Sequence, residues 1–115
     1  MSTYLIGFVI SNFEMNSHAN ANDVLYRVFS RPEAIETTQF ALETGERALE
    51  LYENAFEIKY TLKKFDQVAL PVFNRGGMEN YGIIFYREDY LLVQQNVSCI
   101  VHTLRFLIIN LKTFL

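Results

Sequence analysis

Val68-Ala69-Leu70-Pro71-Val72-Phe73-Asn74-Arg75-Gly76-Gly77-Met78-Glu79-Asn80-Tyr81-Gly82-Ile83-Ile84-Phe85-Tyr86-Arg87-Glu88 is the stretch on which the reading of this chain turns. An apolar run is stopped by Pro71, two glycines follow, and a run rich in β-branched and aromatic residues starts at Tyr81. That order reads as strand, turn, strand, and predicts an antiparallel pair with Glu79 in the loop at one end. Gly76 and Gly77 carry no Cβ, so the backbone there can turn tightly and come close to a ligand. Glu79 gives the loop a negative charge, and Gly76, Gly77, Met78, Glu79 and Asn80 make a candidate binding loop, although Glu79 taken without its flanks reads as an exposed turn carboxylate.

Working upstream, Lys63 to Leu70 reads as a loop entering the first of these strands. Before it, Ala41, Leu42, Gly45, Ala48, Leu49, Tyr52, Ala55 and Phe56 recur with helical spacing. This predicts a helix over residues 38–57 that buries Leu42, Leu49 and Phe56, with Thr37 or Thr38 as its cap. Gly45 lies on the apolar stripe and predicts a close approach by another element, at a propensity cost of about 1 kcal/mol. Glu43 and Arg47 are spaced to pair, for about 0.2–0.5 kcal/mol. Glu43, Glu46, Glu50 and Glu53 read as a solvated face rather than as catalytic groups.

Val24 to Ser30 reads as a strand ended by Arg31-Pro32, since a residue before proline leans towards extended geometry. Asn16 to Asp23 is small and polar, which marks a loop and a domain boundary. His18 within it has no second ligand at metal spacing and reads as a solvated loop histidine. Tyr4, Ile6, Phe8 and Ile10 alternate with Leu5, Gly7 and Val9, the pattern of a strand buried on both faces.

Downstream of Asp89, Val97, Ile100, Val101, Leu104, Leu107, Ile108 and Leu111 keep helical spacing, with Phe106 and Ile109 off the stripe, so this helix wants burial nearly all round. Arg105 and Lys112 interrupt it, so it does not read as a membrane span. The run at residues 4–10 is too short, and lacks the preceding cations, for a signal peptide. Ten basic against thirteen acidic residues give a net charge of -3, which offers no basic patch and argues against nucleic acid as a partner. The lone Cys99 cannot form an internal disulfide. Asn96-Val97-Ser98 is a glycosylation sequon that has meaning only in a secreted chain.

The central stretch resembles the substrate-binding loop of zinc aminopeptidases related to aminopeptidase N, gluzincin metallopeptidases whose signature reads G-A-M-E-N. The likeness extends to the segment Met1 to Ser11, which resembles the last strand of that family's N-terminal β-domain. Arg31-Pro32-Glu33-Ala34-Ile35, Ala48 to Glu53, Phe65 to Pro71, and Tyr86-Arg87-Glu88 with Leu91-Leu92 also look familial. The resemblance covers residues 1 to about 105. It implies an α+β fold: the end of an N-terminal β-domain (1–15), a linker (16–23), and the first part of a thermolysin-like catalytic domain (24–115). Antiparallel or mixed strands would pack on helices in that last part.

In the family, a zinc ion activates water and a glutamate on the zinc helix takes its proton. The loop glutamate, here Glu79, meets the free α-ammonium of the peptide, and backbone around Gly76 and Gly77 lines the extended substrate. Met78 reads as a packing residue. Three departures matter: Gly77 stands for alanine and adds flexibility that would loosen substrate contact, Val72 stands for aspartate, and Tyr81 stands for tryptophan, a mild exchange of one aromatic for another. The fourth is large. No H-E-x-x-H motif is present, and ungapped alignment puts the first zinc histidine and the base near Lys112 and Thr113, neither of which can serve. His102 and Cys99 sit three apart, short of the three donors a catalytic zinc needs.

The resemblance therefore implies a segment of an aminopeptidase, truncated at the zinc helix. It carries the amine-recognition loop, binds no zinc by itself, and needs the rest of the catalytic domain for activity. Peptide N-termini are the expected partner, and plasma membrane or extracellular space the expected location of the parent enzyme. Two alternatives stand beside it: a non-catalytic peptide-binding or interaction module related to the enzymes, and an unrelated α+β interaction domain.

Overall fold

Alternation in Leu25–Ser30 (β2) puts Tyr26, Val28 and Ser30 on a fully buried face and Leu25, Arg27 and Phe29 on a half-buried one. Lys64–Leu70 (β3) is buried from Phe65 to Ala69 on both faces, as a central strand must be. The computed structural model describes residues 3–92. Within them, Glu14–Ala19 (β1), β2, β3, Gly77–Asn80 (β4) and Ile83–Arg87 (β5) make one mixed sheet in the order β1-β2-β3-β5-β4. An 18-residue helix, Gln39–Phe56 (α1), connects β2 to β3, and a single turn, Glu88–Leu91 (α2), follows β5. Sheet plus helices make the α+β fold. The long helix expected after Asp89, with Asn96, Cys99, His102, Lys112 and Thr113, lies outside the described residues.

Helix α1 lies on one face of the sheet. Ala41, Leu42, Ala48 and Leu49 join Tyr26, Val28, Phe65, Ala69, Ile84 and Tyr86 in one buried cluster, completed by Leu91 and Leu92. Each large side chain sealed there contributes about 1.5–3 kcal/mol. At Gly45 the helix lies against the Gln67 side chain of β3. A Cβ there would collide with the Gln67 amide, which donates to the Ala41 carbonyl at 3.2 Å. Burial pushes the Tyr86 phenol well above its usual range, and its hydroxyl has no partner among the described residues. The opposite face carries Val68, Ile83 and Phe85, with Val9, Phe13, Phe29, Leu70, Phe73 and Met78 packed around them.

Several expectations are corrected. Residues 4–10 form no strand. Thr3–Leu5 is a 3-10 turn, and an irregular segment follows in which Ile10 is 91% exposed. The alternation is real, with Leu5, Gly7 and Val9 half-buried, but among the described residues no strand pairs with it. The polar segment 16–23 is a strand and a turn. β1 pairs antiparallel with β2 from Glu14↔Ser30 to Ala19↔Leu25. The Asn20 side chain accepts from the Asn22 and Val24 amides and closes the turn, the local bonding asparagine favours. β1 is polar because both its faces are mostly exposed.

The expected antiparallel pairing of the two central runs is also wrong. β3 and β5 are parallel, Asp66↔Ile83 to Leu70↔Arg87, because β4 intervenes in sequence and pairs antiparallel with β5. At the start of α1, Thr38 makes no side-chain cap. Its hydroxyl donates to the Ile35 carbonyl at 2.6 Å, since a 3-10 helix, Pro32–Thr37, runs straight into α1. Phe56 is half exposed, because the stripe rolls off the sheet at the last turn. Glu43 accepts from Gln39 at 2.8 Å, a bond the spacing with Arg47 did not predict. Glu53 is buried and accepts from the Tyr60 amide, so it caps the returning chain rather than joining a solvated face.

Glu57 closes α1 at φ 55, a left-handed conformation that a side chain disfavours. Glu57→Gly is expected to stabilise the chain by about 0.5–1 kcal/mol, visible as a rise of a few degrees in thermal midpoint.

Candidate functional site

Glu79 sits in a strand, not in a loop. β4 and β5 form a hairpin closed by Tyr81-Gly82, with Gly82 at φ 75. Glycine is the residue that takes this conformation freely, and a Cβ there would also stand 2.9 Å from Leu62 Cδ1. The turn is tied to the sheet by charge. Asp66, whose side chain is 4% exposed, accepts from Arg27 Nε and Nη2 at 2.5 and 2.7 Å and from Lys64 Nζ at 2.8 Å. Lys64 also donates to the Gly82 carbonyl at 2.9 Å, and the Asp66 amide to the same oxygen at 3.1 Å. The Asp66 bonds raise the Arg27 pKa above its ordinary value, against the opposing effect of burial. A bidentate guanidinium pair fixes orientation as well as position.

The ladder decides which groups of β4 are offered outward. The Arg87 amide donates to the Gly76 carbonyl at 3.3 Å, so Gly76 and Arg87 form a hydrogen-bonded pair. Pairs alternate in an antiparallel ladder. Gly77↔Tyr86 and Glu79↔Ile84 are therefore pairs whose N–H and C=O groups point away from each other. In β4 these groups of Gly77 and Glu79 face the edge of the sheet. Side chains alternate too. Glu79 shares the helix-bearing face with Ile84, whereas Met78 and Asn80 share the other face with Phe85 and Ile83.

The five candidate residues thus divide. Gly76 closes the ladder, Gly77 and Glu79 present backbone to the open edge, and Met78 packs on the second cluster. Glu79 is half-buried, and among the described residues no side chain bonds to its carboxylate. Asn80 is buried and points away from that carboxylate. Its Nδ2 donates to the Tyr4 carbonyl at 2.8 Å. Sequence reasoning missed this contact, because its partners stand 76 positions apart and one of them is backbone.

His18, expected in a solvated loop, lies on β1 with Nε2 3.5 Å from Glu46 Oε2 and remains more than half exposed. A polar cleft of about 250 Å³ beside it is lined by Asn16, Gln39, Glu43 and Glu46. Among the described residues no three histidine, cysteine or acidic side chains come together in a way that could hold a metal ion. No donor set among these residues fits the zinc that the resemblance implies. Among the described residues no helix is long and apolar enough to cross a membrane.

Comparison with known proteins bears on the same stretch. Residues 40–109 match the peptidase family M1 domain. Aminopeptidase N of Haemonchus contortus is 47% identical over 92 residues, 80% of this chain and 10% of that protein. Human aminopeptidase N is 40% identical over 94 residues, 80% of this chain and 10% of that protein. Mouse aminopeptidase N is 38% identical over 102 residues, 87% of this chain and 11% of that protein. The chain spans about a tenth of the length of the curated relatives it matches. With more than half of the chain matched to the family domain, and β3, β4, β5 and all of α1 but its first residue inside that match, the chain belongs to peptidase family M1, a family of metallopeptidases that includes aminopeptidases.

Proposed function

We propose that this chain supplies the amine-recognition strand of a zinc aminopeptidase. In this reading Glu79 meets the α-ammonium of a peptide's first residue. The outward N–H and C=O groups of Gly77 and Glu79 receive the extended substrate as an added strand, the mode in which an edge binds peptide main chain. The observation that supports it most is the position of Glu79 on a short edge strand, in a pair whose backbone groups face outward. A carboxylate facing an ammonium makes a charge-assisted contact, roughly twice as strong as a neutral one. Asn80 leaves the set of substrate-binding residues and takes a supporting role.

The domain boundary, which the sequence places within 16–23, moves ahead of Glu14 in this reading, because β1 is part of the sheet. The part of the chain after it belongs to the catalytic domain. The chain holds no zinc by itself, and the metal and base come from the rest of that domain, with peptide N-termini as its partner. A location at the plasma membrane or outside the cell goes with this reading. A peptide-binding module without catalysis is the alternative, and it shares the amine site.

The test is a titration of the 115-residue chain with a leucyl tripeptide amide and its N-acetyl twin, followed by NMR. The free amine should shift the Gly77 and Glu79 amides at lower concentration than the acetylated peptide, and Glu79→Gln should abolish the difference. Equal response to both peptides in the unmodified chain would refute amine recognition.

A further inference from the structure

We propose that residues 3–7 clamp β4 from outside the sheet, and that Asn80 is a positioning residue that holds Glu79 in place through this clamp. β4 is four residues long and, among the described residues, is paired on one side only, with β5. Short ladders with few buried contacts open at low cost. Three contacts at its end come from a segment more than seventy positions earlier in sequence. Asn80 Nδ2 donates to the Tyr4 carbonyl at 2.8 Å. The Tyr81 amide donates to the Leu5 carbonyl. A Cβ at Gly7 would stand 2.7 Å from Asn80 Cγ and 3.0 Å from Asn80 Cβ, so glycine is what lets the backbone lie against that amide.

Asn80 is 5% exposed and on the face opposite Glu79. It touches no substrate bound along the outer edge. Its effect is on the strand: with residue 80 fixed from one face and Gly82 fixed through Lys64 and Asp66, Glu79 has little freedom to twist. The N-terminal segment, which by resemblance ends a separate β-domain, is in this way joined to the amine site. The role given to Glu79 rests on the function proposed above, while the clamp on β4 stands independently of it.

Hydrogen exchange on the full chain tests the clamp. Asn80→Ala removes the donor, and Gly7→Ala puts a methyl group into it. Each should speed exchange of the amides at positions 78, 80 and 81 by about three- to ten-fold, the factor a single hydrogen bond gives. The Val28 and Gln67 amides at the sheet centre should stay within about two-fold. The double variant should be no faster than the faster single one, because both act through one contact. Unchanged exchange in β4, additive effects, or loss of protection across the whole sheet in both variants would overturn the clamp.

The leucyl peptide pair then separates the two readings. If the unmodified chain prefers the free amine, both variants should lose that preference while their response to the acetylated peptide stays the same. A preference that survives both substitutions overturns the positioning role. An unmodified chain with no preference overturns the functional reading of Glu79 alone, and exchange still decides the clamp.

Discussion

Leu49→Asp is expected to destabilise the chain severely, lowering its thermal midpoint by about 20 degrees or more. Leu49 is fully buried on α1, in the cluster with Tyr26, Val28, Phe65 and Tyr86. Aspartate there loses the leucine's transfer free energy and leaves a carboxylate in an apolar layer. Among the described residues this cluster offers no cation: Arg27 and Lys64 are committed to Asp66. A cavity plus an unpaired charge costs about 4–5 kcal/mol, against a total stability of about 5–15 kcal/mol for a domain. Leu51→Asp, on the exposed side of the same helix, is the control and should stay within about 0.5 kcal/mol of the parent. Circular dichroism melts of the three proteins decide it. A Leu49→Asp midpoint within a degree or so of the parent would mean that the sheet-facing side of α1 is misassigned.

That face was legible because helical period leaves a direct trace. Ala41, Leu42, Gly45, Ala48 and Leu49 are all buried, and they are all on the stripe read from spacing. β5 was legible for a similar reason, since Ile83 to Tyr86 combine β-branched and aromatic side chains. Pairing was not legible. Two runs separated by a glycine-rich segment look like the arms of a hairpin. Whether Gly77–Asn80 is loop or strand depends on the ladder with β5, which periodicity over four residues cannot show. Once β4 takes the antiparallel place beside β5, β3 is left to pair parallel on the other side.

β1 failed for a different reason. An edge strand exposed on both faces has no core side to give it alternation, so Asn16, Ser17 and His18 read as a loop. The candidate site was legible in composition through Glu79 and its glycines. Its division of labour was not, because the alternation that separates Glu79 from Met78 and Asn80 exists only if the segment is a strand.

Glu79→Ala should show that division in an active enzyme. Residues 3–92 grafted over the matching stretch of a full-length M1 aminopeptidase should yield a working hybrid, with this chain supplying β4 and the host the rest of the site. In that hybrid Glu79→Ala is expected to lower kcat/KM on free-amine substrates by about 1.5–3 kcal/mol, or roughly ten- to a hundred-fold. On N-acetylated substrates the loss should be small, since acetylation removes the positive charge that the carboxylate meets. The ratio of the two specificities isolates the carboxylate from the backbone that carries it, because loss of the outward N–H and C=O groups of β4 would penalise both substrates alike. The split between the constants adds the mechanism. A rise in KM with kcat unchanged would mean that Glu79 grips substrate and transition state equally, and a fall in kcat that it aligns the reacting bond. Asn80→Ala in the same hybrid should reproduce part of the loss with the same preference for free amines, because it acts only through the placement of Glu79. Equal losses on free and acetylated substrates would reduce Glu79 to a residue that shapes the strand, and amine recognition would have to come from elsewhere in the host.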